Sequence, residues 1–398
     1  MNPPPLPFMA ILALITLVAS APGQTHFSTL YNFNDGVPAG LAVTEGGLNG
    51  AGLQGTGCGM VFQLTPPASG GEIWSETVLY NFADNNSDAC SPFGGPVAGA
   101  DGTLYGLSVV GGAYGQGAMY QLEPPASAGG TWAESVDYSF NAPDFPIGPA
   151  LSTLIDGPDG SFYVLVDYAG GGLLQLQPPP GPAFTWSAEL LFFPSTFMAG
   201  QDLIKGPHGE FYGSSTWGTP SNEAWGYVFE LDPPGAPSGT WTCTVIHGFS
   251  SAEGGVGNPI ALTLASDGTL YGVASGANSN GAEGYPAVFE LTPPESPGAS
   301  WGYTIIELFP HLVPNSQVLL LNGNLYGTAA GPSGGIVFEL QPPASPGGQW
   351  TDTHLHHFTN GQIPYGLIAD KDGTIYGLTG TVNSPAQGTG TVFKITTK

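Results

Sequence analysis

Residues Trp74 to Pro125 read WSETVLYNFADNNSDACSPFGGPVAGADGTLYGLSVVGGAYGQGAMYQLEPP, and the rest of the chain restates this stretch. It holds a Trp-led segment ending at Phe82, a polar loop, a short apolar segment, the phrase Asp101-Gly102-Thr103-Leu104-Tyr105-Gly106, then Met119-Tyr120-Gln121-Leu122 and a Pro-Pro pair. Alternation puts Trp74, Val78, Tyr80 and Phe82 on one face, the period of two that marks a strand. The Trp recurs at Trp132, Trp186, Trp241, Trp301 and Trp350, and the segments it opens close at Phe140, Phe193, Phe249, Phe309 and Phe358. The Tyr phrase returns at Tyr163, Tyr212, Tyr271, Tyr326 and Tyr376. The Val-Phe phrase occurs seven times, at Phe62, Tyr120, Leu174, Phe229, Phe289, Phe338 and Phe393. A period of about 50 residues built from short β-type segments marks a repeat array, most often a β-propeller.

Each unit offers four strands. The inner strand A is expected at Pro96 to Gly99, Pro149 to Leu154, Pro259 to Ala265 and Pro364 to Ala369. Asp101-Gly102, Asp159-Gly160, Asp267-Gly268 and Asp372-Gly373 then form the A-to-B hairpins, with His208-Gly209 and Asn322-Gly323 in the same slot elsewhere. Leu-Tyr-Gly opens strand B, Val-Phe-x-Leu is strand C, and the Trp segment is the outer strand D. Thr25 to Phe33 (THFSTLYNF) is a strand D without its blade, and Thr391 to Thr397 (TVFKITT) is a strand C without its D. Pairing the two removes two exposed sheet edges, so the expected fold is an all-β, seven-bladed propeller of four-stranded blades, closed by its N-terminal strand. The first blade lacks a Leu-Tyr-Gly phrase between Phe33 and Cys58 and is expected to be shortened.

Composition narrows the function. The chain has 398 residues, 30 acidic residues, four Lys and no Arg, a formal charge of −26. Such a chain repels phosphate backbones and anionic lipid surfaces, so nucleic acid is excluded as a partner. The acids are scattered singly, as on a face kept soluble. With 63 Gly and 39 Pro the chain approaches low complexity, but 41% hydrophobic residues supply core material.

Phe8 to Ala21 (FMAILALITLVASA) is apolar and short for a membrane span, and small residues follow it. Ala19-Ser20-Ala21 and Ala21-Pro22-Gly23 are equally good cleavage sites. The expected organisation is a signal peptide at residues 1–23 and one propeller domain at 24–398, with no membrane insertion once the signal is removed.

The phrases DGTLYGLSVVGGAYGQGAMYQLEPP and DGTIYGLTGTVNSPAQGTGTVFKITT resemble the tandem repeat of the GloVer (Gloeobacter/Verrucomicrobia) proteins over residues 25 to 398. The resemblance implies an exported bacterial protein and no family-wide activity. Members often end in an anchoring segment, whereas this sequence stops soon after Val392-Phe393, so free secretion is expected over attachment.

Alternating strand directions put the A-to-B hairpins and C-to-D links on one side and the B-to-C and D-to-A loops on the other. The first side is monotonous, with Asp-Gly hairpins and stiff connectors such as PPASGGEIW. The second differs in every blade: ADNNSDACSPFGG, STWGTPSNEAWG, ASGANSNGAEGYP, GTVNSPAQGTG. Variable loops on a rigid frame are where binding specificity resides. Trp217, Trp225, Tyr285 and Tyr114 sit there beside Asn, Ser and Gly, a mixture suited to sugar faces or a protein surface. The plain alternative is that these aromatics cap blade edges.

His354, His356 and His357 form the one His cluster. Aligned on Trp and Phe, His354 and His356 take the slots of Val78 and Tyr80, and His247 takes that of Tyr80, so packing is a simpler role than metal binding. Asp156 with Asp159, and Asp370 with Asp372, faintly resemble calcium loops but lie where the hairpins need Asp-Gly anyway. No cofactor or metal is expected, calcium being the candidate were one needed. Cys58 precedes strand C of blade one and Cys90 follows its strand D, ends that meet in an antiparallel pair, so an exported chain can bridge them and leave Cys243 free.

No nucleophile elbow, phosphate loop, zinc motif or dinucleotide fingerprint occurs. The sequence therefore points to a secreted or cell-surface monomeric module that binds protein or polysaccharide without chemistry. The rival is a polysaccharide hydrolase or lyase with acids around the central channel. A purely structural envelope protein is a third reading.

Overall fold

The computed structural model describes residues 25–397 apart from 35, 54–56, 69, 84–87, 128, 141–151, 167–171, 182–184, 193–201, 217–224, 237–238, 251–254, 277–283, 297, 346 and 382–388. The proposed signal segment and Trp217 lie outside the described residues.

Seven antiparallel sheets follow one another around a ring. Blade two is typical, with strands A to D at Ala89–Ala98, Leu104–Gly111, Ala118–Glu123 and Ala133–Ser139. In blade six the inner strand is split into Val313–Pro314 and Leu319–Leu321, both paired with Asn324–Gly331. Blade seven takes strands A to C from Gln362–Ala369, Ile375–Thr381 and Thr391–Thr396, and its outer strand is His26–Asn32 from the opposite end of the chain. Closure is sealed by the Phe33 N–H donating to Gly390 O at 2.9 Å and the Trp74 N–H to Leu30 O at 3.0 Å.

Blade one corrects the expectation of a shortened unit. Its strands Val37–Thr44, Gly47–Leu53, Met60–Thr65 and Ser75–Asn81 are as long as those elsewhere. Leu48-Asn49-Gly50 does the work of Leu-Tyr-Gly, and Gly47, at φ +142°, turns the hairpin where a Cβ would strike Leu64 O.

The hairpins explain their own sequence. Gly102 adopts φ +87° after the turn closed by its N–H to Gly99 O, a conformation that favours glycine. Asp101 Oδ1 accepts the Thr103 N–H at 3.1 Å, and that bond holds its carboxyl below the usual range. Asp370 Oδ1 likewise accepts the N–H groups of Asp372 and Thr374, both at 2.9 Å, so this calcium-like carboxylate already serves the turn.

The core is divided among the blade interfaces. The described buried residues fall into clusters that join neighbouring sheets, such as Leu41, Phe62, Trp74, Tyr376 and Val392 between blades one and seven. The C-strand rings Phe62, Phe289, Phe338 and Phe393 are fully buried, each contributing roughly 1.5–3 kcal/mol. The repeated Trp and Tyr form a clasp between blades. The Trp leading one outer strand meets, edge to face, the strand B Tyr of the preceding blade: Trp74 with Tyr376, Trp186 with Tyr105, Trp301 with Tyr212 and Trp350 with Tyr271, centroids 5.9 to 6.1 Å apart.

Around the central channel the inner strands are laced by polar side chains. The Leu262 N–H donates to Asp202 Oδ2 at 2.7 Å, Gln317 Nε2 donates to Leu262 O, Asn315 Nδ2 donates to Pro364 O at 3.0 Å, and the Tyr365 hydroxyl donates to Pro38 O. Each bond crosses from one blade to the next.

Candidate functional site

The variable-loop face carries its best-defined aromatic site between blades four and five. Strand D of blade four, Thr242–Gly248, runs into strand A of blade five, Pro259–Leu264, through a glycine-rich connection whose residues 255–258 are described. Two neighbouring loops are tied to it. The Asn258 N–H donates to Trp225 O at 2.7 Å, and a Cβ on Gly257 would lie 2.6 Å from Trp225 Cε3, so the indole packs on bare backbone. The Tyr285 N–H donates to Gly255 O at 2.9 Å, and the phenol beside it is 53% exposed. Asn258, at φ 61°, directs Nδ2 to Ser275 Oγ at 2.5 Å and its N–H inward to blade four.

Trp225 and Tyr285 therefore flank one segment, Trp225 half-buried and Tyr285 open to solvent. Tyr114 lies on the same face but on blade two, 47% exposed at a loop held by the Ala113 N–H donating to Ser139 Oγ. An exposed ring and a half-buried ring offer stacking surface, while the Asn258 N–H and Nδ2 are engaged within the loops.

Described clefts also open on the other side. One of 780 Å³ lies between the hairpins of blades four and five, lined by Lys205, His208, Glu210 and Asp267. Its polar groups are engaged: Lys205 Nζ donates to Asp156 O at 3.0 Å, and Glu210 accepts the His208 N–H at 2.9 Å. A second, of 660 Å³, lies between blades one and seven beside Trp74 and Asp370.

Few acids line the channel among the described residues. Among the described residues, strands A carry the carboxylate of Asp156, with Asp202 immediately before another strand. Burial pushes Asp202 up to about 6, against the N–H groups of Leu262 and Leu203 that hold it.

His247 and His356 are half-buried in outer strands, whereas His354 and His357 are exposed on theirs. His354 and His356 stand opposite Phe338 and Val337, as Val78 and Tyr80 stand opposite Phe62 and Val61. His356 stacks on Phe27 with centroids 3.5 Å apart, and His247 stacks on Tyr303 at 4.2 Å. Burial pushes His247 down to about 4. Among the described residues no group of three or more His, Cys, Asp or Glu is arranged to hold a metal.

Cys58 and Cys90 form a disulfide, their Cα atoms 4.6 Å apart, and Cys243 is a free thiol that burial pushes up to about 11. The bridge does not staple blade one to itself. Strand A of blade two begins at Ala89, earlier than Pro96, so Cys90 belongs to blade two and the bond joins neighbouring blades.

Sheets, ring closure and loop faces define a seven-bladed β-propeller. The chain belongs to the Gloeobacter/Verrucomicrobia repeat family, whose model matches residues 199–398. Among solved structures it is similar to PorZ, a surface component of the type-IX secretion system of Porphyromonas gingivalis, at 14% identity and TM-score 0.54, covering 90% of this chain and 46% of that one. It is also similar to a puromycin hydrolase, at 14% identity and TM-score 0.52, covering 87% and 50%. A gluconolactonase from Xanthomonas campestris matches at 13% identity and TM-score 0.42, covering 96% and 94%. These likenesses concern the fold alone, and the chain spans about half the length of the first two. No curated protein matches it significantly.

Proposed function

We propose that this chain is an exported, non-catalytic binding propeller that takes a neutral polysaccharide on its variable-loop face. The observation that supports this reading is the convergence of Trp225 and Tyr285 on residues 255–258. Sugar rings present C–H faces to aromatics, and the two rings on this segment supply such a stacking surface. A formal charge of −26 disfavours acidic polymers and favours neutral ones. Export is supported by the Cys58–Cys90 bond, since disulfides persist in oxidising compartments. Among the described residues no helix is long and apolar enough to cross a membrane.

The hydrolase or lyase alternative needs two carboxylates facing one bond. Asp202 is a poor member of such a pair, because its carboxylate holds two inner strands together. Tyr285→Ala tests the proposal: affinity for a retained glycan should fall by about tenfold, roughly 1.4 kcal/mol, with the melting temperature unchanged. Undiminished affinity overturns the placement, and retention of a protein ligand instead overturns the substrate class.

A further inference from the structure

Two acids meet behind the outer strand of blade two. Asp88 lies at the entrance to strand A and is only 5% exposed, and Glu134 lies on strand D. Asp88 Oδ2 accepts the Ala83 N–H at 2.8 Å and the Tyr80 hydroxyl at 3.4 Å. The backbone N–H of Ala89 lies near the Glu134 carboxyl. Asp88 Oδ1 and Glu134 Oε1 remain, both sealed from solvent and both without a donor, while the two carboxyl groups lie within hydrogen-bonding reach of each other.

The titratable groups around the pair are Tyr80 from the outer strand of blade one, Tyr120 from strand C of blade two, and Asp137 further along strand D. None can supply positive charge, and the chain has four Lys and no Arg. Two buried carboxylates that can only accept cannot both stay ionised in contact. A proton on one turns it into the donor that the other lacks.

We propose that Glu134 carries a proton at neutral pH and donates it to Asp88, an acid clasp tying the outer strand of blade two to the entrance of its inner strand. Losing the proton leaves two like charges in contact and loosens the connection that leads to Cys90. Burial first, then the neighbouring Asp88, pushes Glu134 up to about 7. A carboxyl raised above its unfolded value stabilises the fold below that unfolded value, and the contribution is lost as pH rises through the folded one.

The test combines carboxyl-carbon NMR titration with melting curves of the wild-type protein, Glu134→Gln and Asp88→Asn between about pH 4 and about pH 8.5. Glu134 should titrate near neutrality. The wild-type melting temperature should fall across this range, with a smaller fall in either amide variant, which supplies a fixed donor. Asp88→Asn carries the test if Glu134→Gln does not fold. Titration of Glu134 near 4.5, its ordinary value, or parallel melting profiles would overturn the proposal. So would calcium restoring the alkaline stability of the wild type alone, which would put a metal where the proton is placed.

Discussion

Val164 and Leu174 face each other across strands B and C of blade three, at the position where blade two sets Gly106 against Tyr120. A Cβ on Gly106 would stand 2.3 Å from Tyr120 Cζ, so the glycine exists to admit the ring. Blade three changes both partners: the smaller Leu leaves room that Val fills. Gly106→Val should therefore cost about 1–3 kcal/mol by overpacking, and adding Tyr120→Leu should recover part of that loss. Urea unfolding of the four proteins in the cycle measures the coupling. Strict additivity would contradict this account of the repeat.

The Trp clasp predicts unequal costs for equal substitutions. Trp74 reaches Tyr376 across the ring closure, whereas the corresponding slot before Trp132 holds Asn49. Trp74→Ala should destabilise by about 3–5 kcal/mol, and Trp132→Ala by less, since ring pairs add roughly 0.5–1.5 kcal/mol beyond burial. Thermal melts of both variants decide it, and equal losses would remove the clasp.

Reduction should loosen the junction of blades one and two. Breaking the Cys58–Cys90 bond should cost about 2–4 kcal/mol. The oxidised, denatured protein should titrate one thiol, Cys243. Three thiols before reduction, or a melting temperature indifferent to reductant, would contradict the bond.

Much of the chain was legible because propeller units repeat in sequence as they do in space. The seven Val-Phe phrases and the two cut ends defined blade number and closure. Blade one is hard to see in sequence because Asn49 replaces the Tyr that marks strand B, although the backbone still needs only Leu48 and Gly50 there. The inter-blade reach of the disulfide is hidden in sequence because the apolar signal at Pro96 masks a strand already begun at Ala89. Asp88 and Glu134 carry no spacing signal at all, since a loop and a distant strand bring them together. Of the aromatics singled out, Trp225 and Tyr285 share a segment and Tyr114 shares only their face.

Stability should peak on the acid side of neutral. Burial raises Glu134 to about 7 and Asp137 and Asp202 to about 6, and raises Glu230, Glu290, Glu307 and Asp352 as well. Their contributions are present below the ordinary carboxylate range and are lost as pH rises through the folded values. His247 is lowered to about 4, so its contribution is present above its unfolded value of 6.5 and is lost as pH falls through about 4. Melting temperature should therefore decline from about pH 5 toward about pH 8. A flat or rising profile over that range would contradict the burial of these acids.

Retention on immobilised neutral polysaccharides, with product analysis of the same incubation, tests the central claim most directly. The account predicts that wild-type protein is retained, that no oligosaccharide is released, and that Tyr285→Ala passes through while folding normally. Released oligosaccharides, or a wild-type protein that no neutral glycan retains, would contradict it.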